Sequence, residues 1–251
     1  MSGHSKWAQI KRKKAVTDAK RGAIFAKISK EIMVAARLGG PDSTSNFRLR
    51  FAIEKAKTNL MPQNNIQRAI EKGAGLDSAN SHIEEIIYEG YGPGGTAILI
   101  LCTTDNKNRS VADIRSYFTK HNGKLAESGA VSWMFTKRGE IKISNYSFKN
   151  QDEIYELAIE AGAEDIDFSD EEHAIIITKP EELEKVQKNI VSKGIKPQET
   201  QISFNPKEHI EVSDPECAKD IVKLLEAIEE HDDVQEVYCN FDIKEGIEMS
   251  S

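Results

Sequence analysis

Lys6-Trp7 and Lys11-Arg12-Lys13-Lys14 are the residues of this chain best suited to chemistry, and that chemistry is recognition of a polyanion. Five of the nine residues from Lys6 to Lys14 are basic, with an indole and Ile10 among them. An aromatic face stacks on a base while the surrounding cations neutralise phosphates, which suits a nucleic acid better than a small metabolite. A run of this kind is also the signature of a solvated basic tail. Lys20, Arg21, Lys27, Lys30 and Arg37 continue the cationic series. Arg109 stands beside a predicted helix N-terminus, where an anion is favoured.

No catalytic constellation accompanies these cations. Asp167, Asp170, Glu171 and Glu172 gather near His173, but without a second histidine or fixed ligand spacing they read as a solvated loop rather than a metal site. His4 has no carboxylate close in sequence. Gly92-Pro93-Gly94-Gly95 resembles a phosphate loop only superficially, because it lacks the Lys-Ser/Thr ending and joins strand to strand. Cys102, Cys217 and Cys239 are too few and too scattered for a disulfide framework or a zinc site, and they read as small hydrophobes in or near strands. The expectation is a non-enzyme without metal or cofactor.

Charge is divided along the chain. Residues 1–72 hold 16 Lys and Arg against 5 Asp and Glu, a net of +11, whereas residues 73–251 hold 18 against 36, a net of -18. A basic module joined to an acidic body points to a phosphate-binding end and a body that shuns phosphate or meets basic partners. The longest apolar run, Ala97 to Cys102, is far too short to span a membrane. No apolar stretch backs the N-terminal charges as in a secretory signal. The expectation is a cytoplasmic protein with no membrane partner.

The elements that position these residues follow from periodicity. A first helix is expected from a Thr17-Asp18 cap to Gly39-Gly40-Pro41, with Ile24, Phe25, Ile28, Ile32 and Ala35 on its core stripe. Lys27, Lys30 and Arg37 fall on the opposite side and are expected in water. A second helix follows a Ser45-Asn46 cap, burying Leu49, Ile53 and Ala56. A third, capped near Asn64-Asn65, buries Ile66, Ala69 and Ile70. The pattern then changes to strands at His82 to Glu89 and Thr96 to Thr103, followed by a helix to about His121, which either Asn106 or Asn108 can cap. Strands are expected at Val131 to Phe135 and, after a turn at Lys137-Arg138-Gly139, at Glu140 to Ser144. From Glu140 to Phe204 the order is β-α-β-β-α-β, the split βαβ of ferredoxin-like domains. A last strand-helix-strand set, near Ile210–Val212, Asp214 to Glu230 and Val234 to Phe241, is expected to complete the earlier sheet.

The residues Gly3-His4-Ser5-Lys6-Trp7, Arg21-Gly22, Ala35-Ala36-Arg37, Met61-Pro62, Asn65-Ile66 and Arg68-Ala69-Ile70 resemble the YebC/PmpR family. So do Tyr88-Glu89-Gly90-Tyr91, Thr104-Asp105-Asn106, Asn108-Arg109 and Trp133, and the likeness runs over nearly the whole chain. It implies an α+β fold: an N-terminal basic three-helix domain and two α/β, ferredoxin-like domains, one inserted in the other. The expected limits are 1–78, 79–130 with 206–242, and 131–205. Members of the family are assigned as DNA-binding transcriptional regulators. Others act in translation, relieving ribosomes stalled on proline-rich stretches, and a mitochondrial relative is a translational activator. The resemblance implies a regulator of gene expression that binds ribosomal RNA and the ribosome or, alternatively, promoter DNA. Lys6, Trp7, Lys11, Arg12, Lys13, Lys14, Lys20, Arg21, Lys27, Lys30, Arg37 and Arg109 are the expected contacts.

Overall fold

The computed structural model describes residues 18–75, 83–144, 150–169 and 173–243. The chain forms two compact units, one of residues 136–205 and one of residues 5–135 with 206–251.

The larger unit begins with three helices, α1 (Asp18–Gly39), α2 (Phe47–Thr58) and α3 (Gln63–Gly73). Ile28, Ile32, Ala35 and Ala36 of α1 close a core with Leu49, Ala52 and Ala56 of α2 and with Ile66 and Ala69 of α3. The predicted stripe therefore faces the predicted partners. Asn46 caps α2, accepting the Leu49 N–H at 3.1 Å and donating its amide to Ala35 O (2.7 Å) and Gly40 O (2.8 Å). One side chain thus ends α1 and starts α2. The expected cap of α3 at Asn64-Asn65 is corrected: the helix starts from Pro62, which gives no side-chain cap bond. Asn64 and Asn65 lie inside the first turn, exposed.

An α/β layer follows, with β1 (Glu84–Tyr91), β2 (Ala97–Thr104), α4 (Lys107–Lys120) and β3 (Lys124–Ala126). It is completed by β8 (Ile210–Val212), α7 (Pro215–Glu229), β9 (Val234–Cys239) and β10 (Phe241–Ile243) from the far end of the chain. The sheet order is β3-β1-β2-β9, so the most apolar strand, β2, is central and β9 returns beside it as expected. Pro93–Gly95 form a tight turn between the antiparallel strands β1 and β2, with Gly94 and Gly95 at φ 68° and 75°, a hairpin turn and not a phosphate loop. Ile114 and Phe118 of α4 and Ile221, Leu224 and Leu225 of α7 pack beneath the sheet.

Three local expectations are corrected here. Residues 131–134 are not strand; Ser132–Met134 form a short helical turn, and strand begins only at Phe135. The reason is Glu89, whose buried carboxylate accepts the N–H groups of Gly129 (2.8 Å), Val131 (2.7 Å) and Ser132 (2.8 Å), bonds that a neighbouring strand would otherwise make. The final strand breaks at Asn240, which bonds back to Ala97 and accepts the Ile210 N–H, so β10 pairs in parallel with β8 instead of continuing along β2. Cys217 lies in α7, not in or near a strand, while Cys102 and Cys239 sit buried in β2 and β9. Burial pushes both strand thiols up to about 12, so neither is a thiolate at neutral pH.

The smaller unit holds β4 (Phe135–Ser144), α5 (Gln151–Ala161), β5 (Asp165–Asp167), β6 (His173–Thr178), α6 (Leu183–Ser192) and β7 (Pro197–Pro206). Its sheet order β5-β6-β4-β7 is that of a ferredoxin-like split βαβ. The expected turn at Lys137-Arg138-Gly139 is absent, and β4 runs through it. A Cβ at Gly139 would collide with Thr178 and Leu183, so glycine there serves close packing and not a turn.

Candidate nucleic-acid interface

Lys6, Trp7, Lys11, Arg12, Lys13 and Lys14 lie outside the described residues, as do the side chains of Lys20 and Arg21, whose backbone forms the first turn of α1. The remaining predicted contacts are described, and they are not in water. Lys27 Nζ donates to Glu229 O at 2.6 Å. Lys30 Nζ donates to Asp232 O at 2.8 Å and to Asp233 Oδ1 at 2.7 Å. Arg37 donates to Ile83 O. The expectation that these three cations stay solvated is therefore corrected: each is bonded to the α/β layer. Glu229 ends α7, so Lys27 satisfies a carbonyl at the negative end of that helix.

Lys30 and Arg109 converge on one carboxylate. Asp233 Oδ2 accepts Arg109 Nη2 (2.9 Å), Ser110 Oγ (2.7 Å) and Thr104 Oγ1 (3.1 Å), while Oδ1 accepts Lys30. The Asp233 side chain is 2% exposed. Its burial favours the neutral acid, but the bonds from Lys30, Ser110 and Arg109 outweigh that and hold the carboxyl well below the usual carboxylate range. The same bond to Asp233 raises the Arg109 guanidinium. The Asp233 backbone is fixed as well, its carbonyl accepting the Thr103 N–H (2.7 Å) and its N–H donating to His231 Nδ1 (3.1 Å). Because Nδ1 accepts, the ring proton belongs on Nε2, which faces Asp113 Oδ2 at 3.1 Å. The question of the α4 cap is settled for Asn106, whose Oδ1 takes the Arg109 N–H. The anion that Arg109 holds is supplied by the chain itself.

The other cations of the helices divide in the same way. Arg48 pairs with Glu85 of β1, Lys55 pairs with Glu31 (3.2 Å), and Arg50 donates to Ser43 O (3.2 Å). Lys57, Arg68 and Lys72 carry no ion pair or side-chain hydrogen bond among the described residues. Among the described residues no three His, Cys, Asp or Glu side chains gather as metal ligands. No described helix is long and apolar enough to cross a membrane.

Comparison with known proteins places this architecture. Residues 5–76 match the TACO1/YebC protein N-terminal domain, and residues 83–241 match the TACO1/YebC second and third domain. The chain belongs to the TACO1/YebC family. A relative from Desulfotalea psychrophila, named a probable transcriptional regulatory protein, is 52% identical over 98% of both chains. One from Aquifex aeolicus with the same description is 49% identical, again over 98% of each. The crystal structure of a conserved hypothetical protein from Aquifex aeolicus superimposes with a TM-score of 0.88 at 49% identity, covering 97% of this chain and 99% of that one. The helical module of this family member is thus tied to its α/β layer through Asp233, a residue that sequence reasoning did not single out. One signal was present. Lys27, Lys30, Val34 and Arg37 recur at helical spacing on the side away from the core stripe, and Val34 is 3% exposed. An apolar residue among cations marked a second buried face.

Proposed function

We propose that this protein is a non-enzymatic, nucleic-acid-binding regulator of gene expression in the cytoplasm, and that its ligand is ribosomal RNA within the ribosome. The observation that carries this reading is the fastening of a basic helical module to an acidic layer. Residues 73–135 and 206–251, which complete the unit containing the helices, hold 9 Lys and Arg against 21 Asp and Glu, a net of -12. Lys27, Lys30, Arg37 and Arg48 bind that layer, so its negative charge travels with the helices to any ligand. Duplex DNA is anionic along its length and repels such a body, whereas a ribosome intersperses RNA with basic protein. The cations of the N-terminal stretch, from Lys6 to Arg21, supply phosphate neutralisation and Trp7 supplies stacking on an unpaired base. The limits 1–78, 79–130 with 206–242, and 131–205 are the functional domains of this proposal.

The names of the curated relatives favour a second reading, in which the same module binds promoter DNA. Competition at fixed salt among ribosomes, random duplex and promoter fragments separates the two. Intact protein is expected to remain with ribosomes. A preference of roughly a thousandfold for one promoter over random duplex, as sequence-specific regulators show, overturns the ribosomal reading.

A further inference from the structure

With Lys27, Lys30, Arg37, Arg48, Arg50 and Lys55 already bonded, the cations still open among the described side chains of α1, α2 and α3 are Lys57, Arg68 and Lys72. Two of them lie on α3, whose inner side is buried at Ile66 and Ala69. Asn64, Arg68 and Lys72 follow at intervals of four along its outer side, with Gln63 and Gln67 beside them, and all but Lys72 are exposed. The Gln67 amide donates to Glu71 at 2.9 Å, which holds the one acidic group of this ridge along the helix, still charged, beside the cations of Arg68 and Lys72. Amides and a guanidinium are the side chains that pair two-point with base edges, and a lysine near either end suits a backbone on both sides.

The turn leading into α3 adds an independent observation. Asn59 ends α2, the Leu60 N–H donates to Lys57 O at 3.0 Å, and the Met61 N–H donates to Ala56 O at 2.9 Å. That pattern places Leu60 where helices commonly put glycine. Leu60 has φ 60° and its side chain is 79% exposed, beside the first turn of α3. A left-handed leucine costs stability and here gains no burial, which marks a position kept for something other than folding.

We infer that the outer ridge of α3, with Leu60 at its entrance, is a base-reading surface for unpaired RNA, Arg68 and Asn64 meeting base edges and Leu60 resting against a base face. This deepens the ribosomal reading above and rests on it. A protein partner fits less well, because the ridge offers one exposed large apolar side chain and otherwise amides and charge.

The test uses full-length protein with ribosomal RNA hairpins carrying open loops, the same stems without loops, and duplex DNA. Arg68→Ala and Asn64→Ala are each expected to weaken binding to the preferred loop roughly 5- to 100-fold while leaving paired stems nearly unchanged. Lys57→Ala is expected to weaken every nucleic acid alike and to lower the salt slope by roughly 0.7 to 0.9. Leu60→Gly is expected to keep or raise the melting temperature and lose loop affinity, which separates binding from folding. A wild-type loop preference untouched by these α3 variants, or an equal loss on loops, stems and duplex, overturns the ridge and leaves the ribosomal reading standing. A wild-type protein that prefers duplex DNA overturns the ribosomal reading, and the unpaired-base surface with it.

Discussion

Asp233→Asn keeps the shape of the side chain and removes the charge on which the helical module and the α/β layer meet. The carboxylate receives Lys30 at 2.7 Å, Arg109 at 2.9 Å, Ser110 at 2.7 Å and Thr104 at 3.1 Å. Hydrogen bonds to a charged partner contribute about 1.5–3 kcal/mol each where water is excluded. Arg109 is 49% exposed and recovers water when its partner is lost, so its share is screened to below about 1 kcal/mol. Lys30 is 21% exposed and keeps most of its share. The expected cost is about 2–4 kcal/mol, seen in equilibrium denaturation. The pH dependence checks the cause. A carboxyl held below its unfolded value stabilises fully above that value, about 3.9, and the contribution is lost as pH falls towards the folded one. The gap between wild type and variant is therefore wide at pH 7 and narrows below about pH 4. A protease site placed at residues 77–80 isolates the inter-module part. Cut protein is expected to co-elute as one species, and cut Lys30→Met or Asp233→Asn protein to separate at lower salt. The reasoning is refuted if Asp233→Asn lies within about 0.5 kcal/mol of wild type and a double-mutant cycle finds no coupling between Lys30 and Asp233.

Asn46→Ala removes three hydrogen bonds, one of them the α2 cap, from a residue that is 6% exposed, and is expected to cost about 2–3 kcal/mol as a lowered urea midpoint with an unchanged slope. In Glu89→Gln, amide exchange is expected to accelerate at Gly129, Val131 and Ser132. Burial favours the neutral form of Glu89, but its N–H donors outweigh that and hold the carboxyl below its usual value, so wild-type protection should be full at neutral pH and fade in acid; unchanged exchange in the variant would sink the clamp. Changing Lys11, Arg12, Lys13 and Lys14 together to Ala is expected to flatten the salt dependence of nucleic-acid binding by roughly 3 in log–log slope, and an unchanged slope would show that these cations do not meet phosphate. Trp7→Ala is expected to cost about 1–3 kcal/mol of binding with the slope intact. If it instead unfolds the protein, the indole is core.

The fold was legible in the sequence wherever one face of an element meets one core. Ile28, Ile32 and Ala35 on α1 and the unbroken apolar run of β2 needed only periodicity, and the β-α-β-β-α-β order needed only turn chemistry. Two misreadings fell where a polar side chain substitutes for a backbone partner, and a third at Gly139, where a glycine that signals a turn serves close packing inside β4. Glu89 takes the N–H groups of residues 129–132, and Asn240 passes the chain from one sheet to another. Neither carboxylate nor amide announces its acceptor in sequence, because the partners lie about 40 and 143 positions away.

The site was legible as a charge and illegible as a set of contacts, and α1 shows why. Periodicity sorts residues into those that face a helix's own core and those that do not, and assigns the second group to water. A helix wedged between two layers has no such group in its middle. Val34 is buried opposite the core stripe, and Lys27, Lys30 and Arg37 around it reach carbonyls and a carboxylate that arrive from up to 203 residues along the chain. Three cations that a count of charge assigns to phosphate are thereby spent on holding the module in place. Phosphate binding at those positions would require breaking that attachment first, so it costs more there than at Lys57, Arg68 or Lys72. The net charge of the helices thus overstates what they offer a ligand, because the cations left open to one are those of α2 and α3.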